Sequence, residues 1–180
     1  MICITVPLNF YIHELEIVYA MVMKIVVMGV SGSGKSTIGK DLSVKLGLPF
    51  FDGDNFHPAE NVQKMKAGQP LNDADREPWL KALATLIGGE EGLVLACSAL
   101  KDKYRLVLSE GGMIHWVYLK GSLELVHERM LKRSGHFMPV GLLESQFSTL
   151  EPPEKCIEVD ISMSPEEIVS SVLEKLTNLK

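Results

Sequence analysis

Cysteine is scarce in this chain. Its three residues, Cys3, Cys97 and Cys156, are far apart and odd in number. They make neither the paired spacing of a zinc site nor a disulfide framework, and this usage fits a reducing, cytoplasmic setting. Positive charge is also short: 18 Lys and Arg stand against 23 Asp and Glu, a net charge of −5. A general electrostatic grip on nucleic acid or on an anionic membrane is therefore not expected. An anionic ligand has to be held by a few locally placed cations and by backbone N–H groups. Apolar runs are too short to span a bilayer. Internal repeats, low-complexity tracts and linkers are lacking too, and 180 residues are expected to form one domain with a substantial core.

The first 22 residues, MICITVPLNFYIHELEIVYAMV, are apolar but interrupted by Pro7, His13, Glu14 and Glu16. No Lys or Arg precedes Lys24, so the positive leader of a secretory signal is missing. The segment reads first as an upstream extension with Met21 or Met23 as an alternative start. A docked extra element and a poor targeting segment are the other readings. The expected organisation is an extension over residues 1–22 and a core domain over 23–180.

From Lys24 the pattern becomes regular. KIVVM is a β-branched run ending at Gly29 and reads as a buried strand. Ile38, Leu42 and Leu46 follow at helical spacing, with Gly47 suited to the position just past a helix end. PFFD reads as a second strand. Asp73 or Asp75 is expected to cap a helix carrying Trp79, Leu80, Leu83, Leu86 and Ile87. GLVLAC is a third strand, MIHWVYLK a fourth and CIEVDI a fifth, with helices between them. The run Ser164-Pro165-Glu166-Glu167 has the form of a capping box with proline at the first helical position. Strands alternating with helices predict an α/β fold, a parallel sheet covered on both faces, with ligands bound beyond the carboxyl ends of the strands.

Beyond one of those ends stands GVSGSGKS, Gly29 to Ser36, a full match to G-x-x-x-x-G-K-[ST] in the strand–loop–helix context that the motif requires. Gly29, Val30, Ser31, Gly32, Ser33, Gly34, Lys35, Ser36 and Thr37 are the expected nucleotide-binding residues. Glycines let the backbone curl so that successive N–H groups face phosphate oxygens, and the start of the next helix adds more. Lys35 is expected to reach the β- and γ-phosphates and Ser36 to ligate Mg²⁺. The chain has no N/T-K-x-D segment, which excludes a guanine-reading GTPase, and no aspartate where a Walker B carboxylate would end the third strand. A metal-positioning carboxylate must come from elsewhere. Asp52 and Asp54, on either side of Gly53 at the end of the second strand, supply two. On an extended chain they would point the same way, one toward a metal's water shell and the other toward an acceptor hydroxyl; the other reading is a capping or turn pair between strand and helix.

At this point the chain resembles a known family. MGVSGSGKST, DGDNFHP, NVQKMKAGQPLNDADREPWL, ACSALKDKYR, VYLKG and RSGHFMPVGLLESQFSTLE together look like bacterial-type gluconokinase, a small P-loop kinase related to shikimate kinase. The resemblance covers residues 23–162. It implies a nucleoside-monophosphate-kinase type of fold with a five-stranded parallel sheet and a small lid. It implies transfer of the ATP γ-phosphate to the 6-hydroxyl of D-gluconate with Mg²⁺, and a homodimer. By position it puts Asp52 near Mg²⁺, makes Asp54 the base that engages the acceptor, and lines the same pocket with His57. A kinase for another small hydroxy acid such as shikimate, and a nucleotide-binding module without catalysis, are the rival functions.

Two anionic substrates need cations. Arg129 and Arg133 lie one helical turn apart, ahead of the glycine-containing segment Ser134 to Met138. They read either as a solvated helix face or as the base of a lid over residues 129–140. The resemblance favours the lid, with Arg133 at the transferring phosphoryl group and the stem of Arg129 against adenine. His136 is a further ligand contact. Arg76 and Arg105 suit the gluconate carboxylate, because a planar guanidinium meets a carboxylate with two hydrogen bonds; Lys101 is a third candidate.

Overall fold

Ile25, Val26, Val27 and Met28 are all fully buried, and their successive side chains belong to two different cores. That is the signature of a central strand with helices on both faces. The computed structural model describes residues 22–132 and 140–178. Residues 1–21, and with them nearly all of the expected extension, lie outside the described residues, as do Arg133, His136 and most of the expected lid.

The strands are β1 (Lys24–Met28), β2 (Phe50–Asp52), β3 (Leu93–Ala96), β4 (His115–Lys120) and β5 (Ile157–Asp160). They form a five-stranded sheet in the order β2-β3-β1-β4-β5, and every neighbouring pair is parallel. The helices are α1 (Lys35–Leu46), α2 (Ala59–Lys66), α3 (Asp73–Gly89), α4 (Asp102–Ser109), α5 (Leu123–Lys132), α6 (Val140–Thr149) and α7 (Pro165–Thr177). On one face of the sheet, Ile25, Val27, Val94 and Val117 pack with Ile38 and Leu42 of α1 and with Ile168 and Val172 of α7. On the other, Val26, Met28 and Leu95 pack with Trp79, Leu83 and Ile87 of α3 and with Leu108 of α4. Among the described residues no helix is long and apolar enough to cross a membrane.

Helix ends follow local chemistry. Gly47 closes α1 in the left-handed region, φ 67°, as its position suggested. Ser164 and Glu167 form the expected reciprocal box at the start of α7. The start of α3 differs from expectation: neither Asp73 nor Asp75 is its cap. Asn72 is, accepting from the Asp75 N–H at 2.9 Å, while the Asp75 carboxylate accepts from the Asn72 N–H at 3.0 Å. Asp75 thus acts from the third helical position.

The Asp52–Asp54 segment also departs from the extended geometry expected of it. Gly53 to Phe56 wind into a short 3-10 turn, and Asp52 caps it by accepting from the Asp54 N–H at 3.2 Å. Asp54 therefore stands in a turn that Asp52 caps, not on the strand, while both carboxylates still act on Lys35. The turn is held by the Trp79 indole N–H, which donates to the Gly53 carbonyl at 2.7 Å.

Candidate active site

Gly29 to Ser36 curl at the carboxyl end of β1, in the middle of the sheet. Gly32 has φ 79°, and a side chain there would run into Met130 of α5 at 2.7 Å. Gly34, with φ 99°, is the N-cap of α1. Only glycine meets both demands cheaply, so the loop can wrap tightly and turn its amides inward. Val30 is buried beneath it, and its carbonyl accepts from Lys35 Nζ at 2.9 Å. The lysine is thus folded over the loop. Burial pushes its pKa down, while the carboxylates of Asp54 and Asp52 pull it back up. Cys97 itself is an inert neighbour, since burial drives its thiol up to about 12.

Ser36, in the first turn of α1, donates its hydroxyl to Asp52 Oδ2 at 2.6 Å. An alcohol and a carboxylate converge there from α1 and β2. These are hard oxygen donors of the kind Mg²⁺ accepts alongside water and phosphate. Among the described residues there is no group of three or more His, Cys, Asp or Glu able to hold a metal. The pair therefore fits an ion that takes its remaining ligands from substrate and water. Thr37 is exposed one residue further on.

Asp54 stands on the acceptor side. It lines a pocket together with Ser31 and Lys35 of the phosphate loop, His57, Arg76 and Ser98. His57 stacks on Trp79, with ring centroids 4.3 Å apart and planes 13° from parallel. Burial lowers the His57 pKa; Asp54 opposes the shift and Arg76 adds to it. Arg76 donates to the Leu71 carbonyl, and its guanidinium lies 5.7 Å from the centre of the Tyr104 ring. The Tyr104 hydroxyl in turn donates to Asp73. Lys101 and Lys103 pair with the same carboxylate at 2.9 and 2.5 Å. Hydrogen bonds from Lys103, Tyr104 and Lys101 hold the Asp73 pKa well below the usual carboxylate range.

The two arginines offered for an acceptor carboxylate part company here. Arg76 lines the pocket. Arg105 is buried and does not reach it. Its Nη1 donates to the carbonyls of Ala99 at 3.0 Å, Leu100 at 3.3 Å and Glu151 at 3.0 Å, and its Nη2 meets Asp102 at 3.3 Å. The expectation for Arg105 gives way to a clamp that ties the start of α4 to the end of α6. The clamp also takes the carbonyl of Ala99, a buried residue held at φ 44°, where a non-glycine residue is strained. Lys101 is committed to Asp73 and does not line the pocket either. Arg129 donates to the Ile161 carbonyl, against the segment that follows β5.

One wall escaped the sequence reading. Helix α6 sends Leu142, Ser145, Gln146 and Thr149 to the pocket, and Leu143 and Phe147, with Leu150 just past its end, to the core. The signal was present as two interleaved stripes at helical spacing in GLLESQFSTL.

The shikimate kinase family model matches residues 31–151. The chain is 47% identical over 173 residues to a probable gluconokinase of Xenopus tropicalis, covering 83% of this chain and 91% of that one. It is 40% identical over 158 residues to the thermoresistant gluconokinase of Escherichia coli, covering 83% and 90% respectively. The crystal structure of a gluconokinase from Sinorhizobium meliloti superposes with a TM-score of 0.84 at 45% identity, covering 88% of this chain and 94% of that one.

Proposed function

The chain belongs to the gluconokinase family of P-loop kinases, and from that premise we propose that it transfers the γ-phosphate of ATP to the 6-hydroxyl of D-gluconate. The observation that carries this reading is the shared pocket. Ser31 and Lys35 of the nucleotide side and Asp54, His57 and Arg76 of the acceptor side border the same cavity. A phosphoryl group and an alcohol brought to that border are within reach of each other.

The phosphate loop and Lys35 bind the triphosphate through backbone N–H groups and one ammonium. Ser36 and Asp52 would hold Mg²⁺, which when bound neutralises charge on the β- and γ-phosphates. On the other side Arg76 takes the gluconate carboxylate with its planar guanidinium. Asp54 accepts the proton of the 6-hydroxyl as that oxygen bonds to the γ-phosphorus. The bond from phosphorus to the bridging oxygen breaks, and ADP leaves with that electron pair. His57, stacked flat on Trp79, stiffens the acceptor wall. Arg129 packs toward the adenine. Arg133 and His136 complete the site from the lid, and the active form is a homodimer; these last assignments come from the family resemblance.

The test is ADP release at fixed Mg²⁺ with gluconate, shikimate, gluconolactone and AMP offered in parallel. Gluconate is expected to lead by at least an order of magnitude in kcat/KM. Equal turnover with shikimate or AMP would replace this reading with the rival one.

A further inference from the structure

Helix α6 does more than wall the pocket. Gln146 Oε1 accepts a hydrogen bond from the Ser31 backbone N–H at 2.7 Å, across 115 residues of chain. A backbone N–H can only donate, so the carboxamide must turn its carbonyl to the loop and its NH₂ group away from it. Ser31 is the phosphate-loop residue that also borders the acceptor pocket, and Gln146 borders the same pocket. This side chain therefore sits on the seam between the two substrates.

The helix beneath it is firmly seated. Leu143 is buried in the core and Phe147 packs against it. The end of α6 is tied down where the Glu151 N–H donates to the Leu100 carbonyl at 2.8 Å and the Glu151 carboxylate accepts from the Asp102 N–H at 2.7 Å. A carboxamide fixed at its carbonyl, on an anchored helix, presents a pre-aimed donor.

We propose that Gln146 is a specificity-determining residue for the acceptor: its NH₂ group donates to a hydroxyl of the bound polyol chain while its carbonyl is pinned to Ser31. The acceptor is then located against the phosphate loop itself as well as against its own subsite. This rests on the gluconate reading above. It assigns to α6 a role in choosing among hydroxy acids, because an acid without a hydroxyl at that point leaves the donor unpaired.

The test compares wild type, Gln146→Met and Gln146→Glu on D-gluconate and on the monodeoxy-D-gluconates that keep the 6-hydroxyl. Methionine keeps the length and loses both polar ends; glutamate can still accept from Ser31 but cannot donate. Wild type is expected to reject one monodeoxy acid by about tenfold in kcat/KM. Both variants are expected to raise the gluconate KM by about tenfold, to leave the ATP KM within about threefold, and to lose discrimination against that same monodeoxy acid. A brace for the loop alone would leave every discrimination ratio unchanged. Unchanged ratios in both variants, with wild type active on gluconate, overturn the proposal and leave the functional reading standing. Wild type inactive on gluconate removes that reading and this proposal together.

Discussion

Arg105→Met separates a structural arginine from a substrate-binding one. Nη1 carries only two hydrogens, so its three carbonyl contacts at 3.0, 3.3 and 3.0 Å amount to about two full hydrogen bonds, one of them shared. Bonds from a charged donor contribute ~1.5–3 kcal/mol each, and the carbonyls stranded by methionine stay buried. Some loss is recovered by the apolar replacement, leaving a net cost of ~3 kcal/mol, a large share of a typical ~5–15 kcal/mol stability. With a urea slope of about 2 kcal/mol/M, the midpoint should fall by about 1.5 M. Far-ultraviolet circular dichroism measures the midpoint. Kinetics at low temperature, on the still-folded variant, should show a gluconate KM within about twofold of wild type. Arg76→Met should do the reverse, with the midpoint nearly unmoved and the gluconate KM raised by about thirtyfold or more, the expected cost of losing a charged bidentate partner. An unmoved midpoint for Arg105→Met together with a large rise in gluconate KM would refute the clamp and return Arg105 to the acceptor.

Asp52→Asn should lower kcat by about a hundredfold or more and raise the Mg²⁺ concentration needed for half activity, because it removes charge from the pair with Ser36; an unchanged Mg²⁺ titration would remove Asp52 from the metal. Burial holds the folded-state pKa of His57 below the ordinary 6.5. As the pH drops below about 6.5 the unfolded chain takes up a proton that the folded chain resists, so stability declines until the folded pKa is passed; above that window the effect vanishes. His57→Phe, which keeps the stack on Trp79, should flatten the fall in urea midpoint between neutral and mildly acidic pH, and an unaltered slope would assign the acid sensitivity elsewhere. Asn72→Ala should cost ~1 kcal/mol by opening the reciprocal cap of α3, read as a lower melting temperature with little change in the ATP KM.

The strands were legible because each is short and bounded by turn residues, β1 and β3 being apolar on both faces and β5 on one. β1 and β3 could only be central once every side chain of Ile25–Met28 and Leu93–Ala96 had to be covered. The phosphate loop was legible because its spacing encodes a backbone shape as well as a set of side chains. What escaped reading was whatever tertiary contact decides. Arg76 and Arg105 are the same residue type in similar polar runs, and the Glu151 carbonyl, brought back by the chain after α6, joins those of Ala99 and Leu100 to hold Arg105 away from the pocket. Asn72, Asp73 and Asp75 are all good caps; the choice fell to the residue whose backbone stays extended, with its partner three places on. Asp52 and Asp54 read either as an extended pair pointing the same way or as a turn pair, and the Trp79 tie to Gly53 shows why the chain winds into the turn.

The flat stack of His57 on Trp79 places a buried indole in the wall of the cavity, while Trp116 stands on β4, outside the lining. The protein thereby carries its own optical reporter. An imidazole that gains a proton or is displaced by an arriving sugar acid changes the quenching of that ring, so occupancy can be followed by emission with no nucleotide present and no turnover. A signal that survives Trp116→Phe and vanishes in Trp79→Phe comes from the pocket alone.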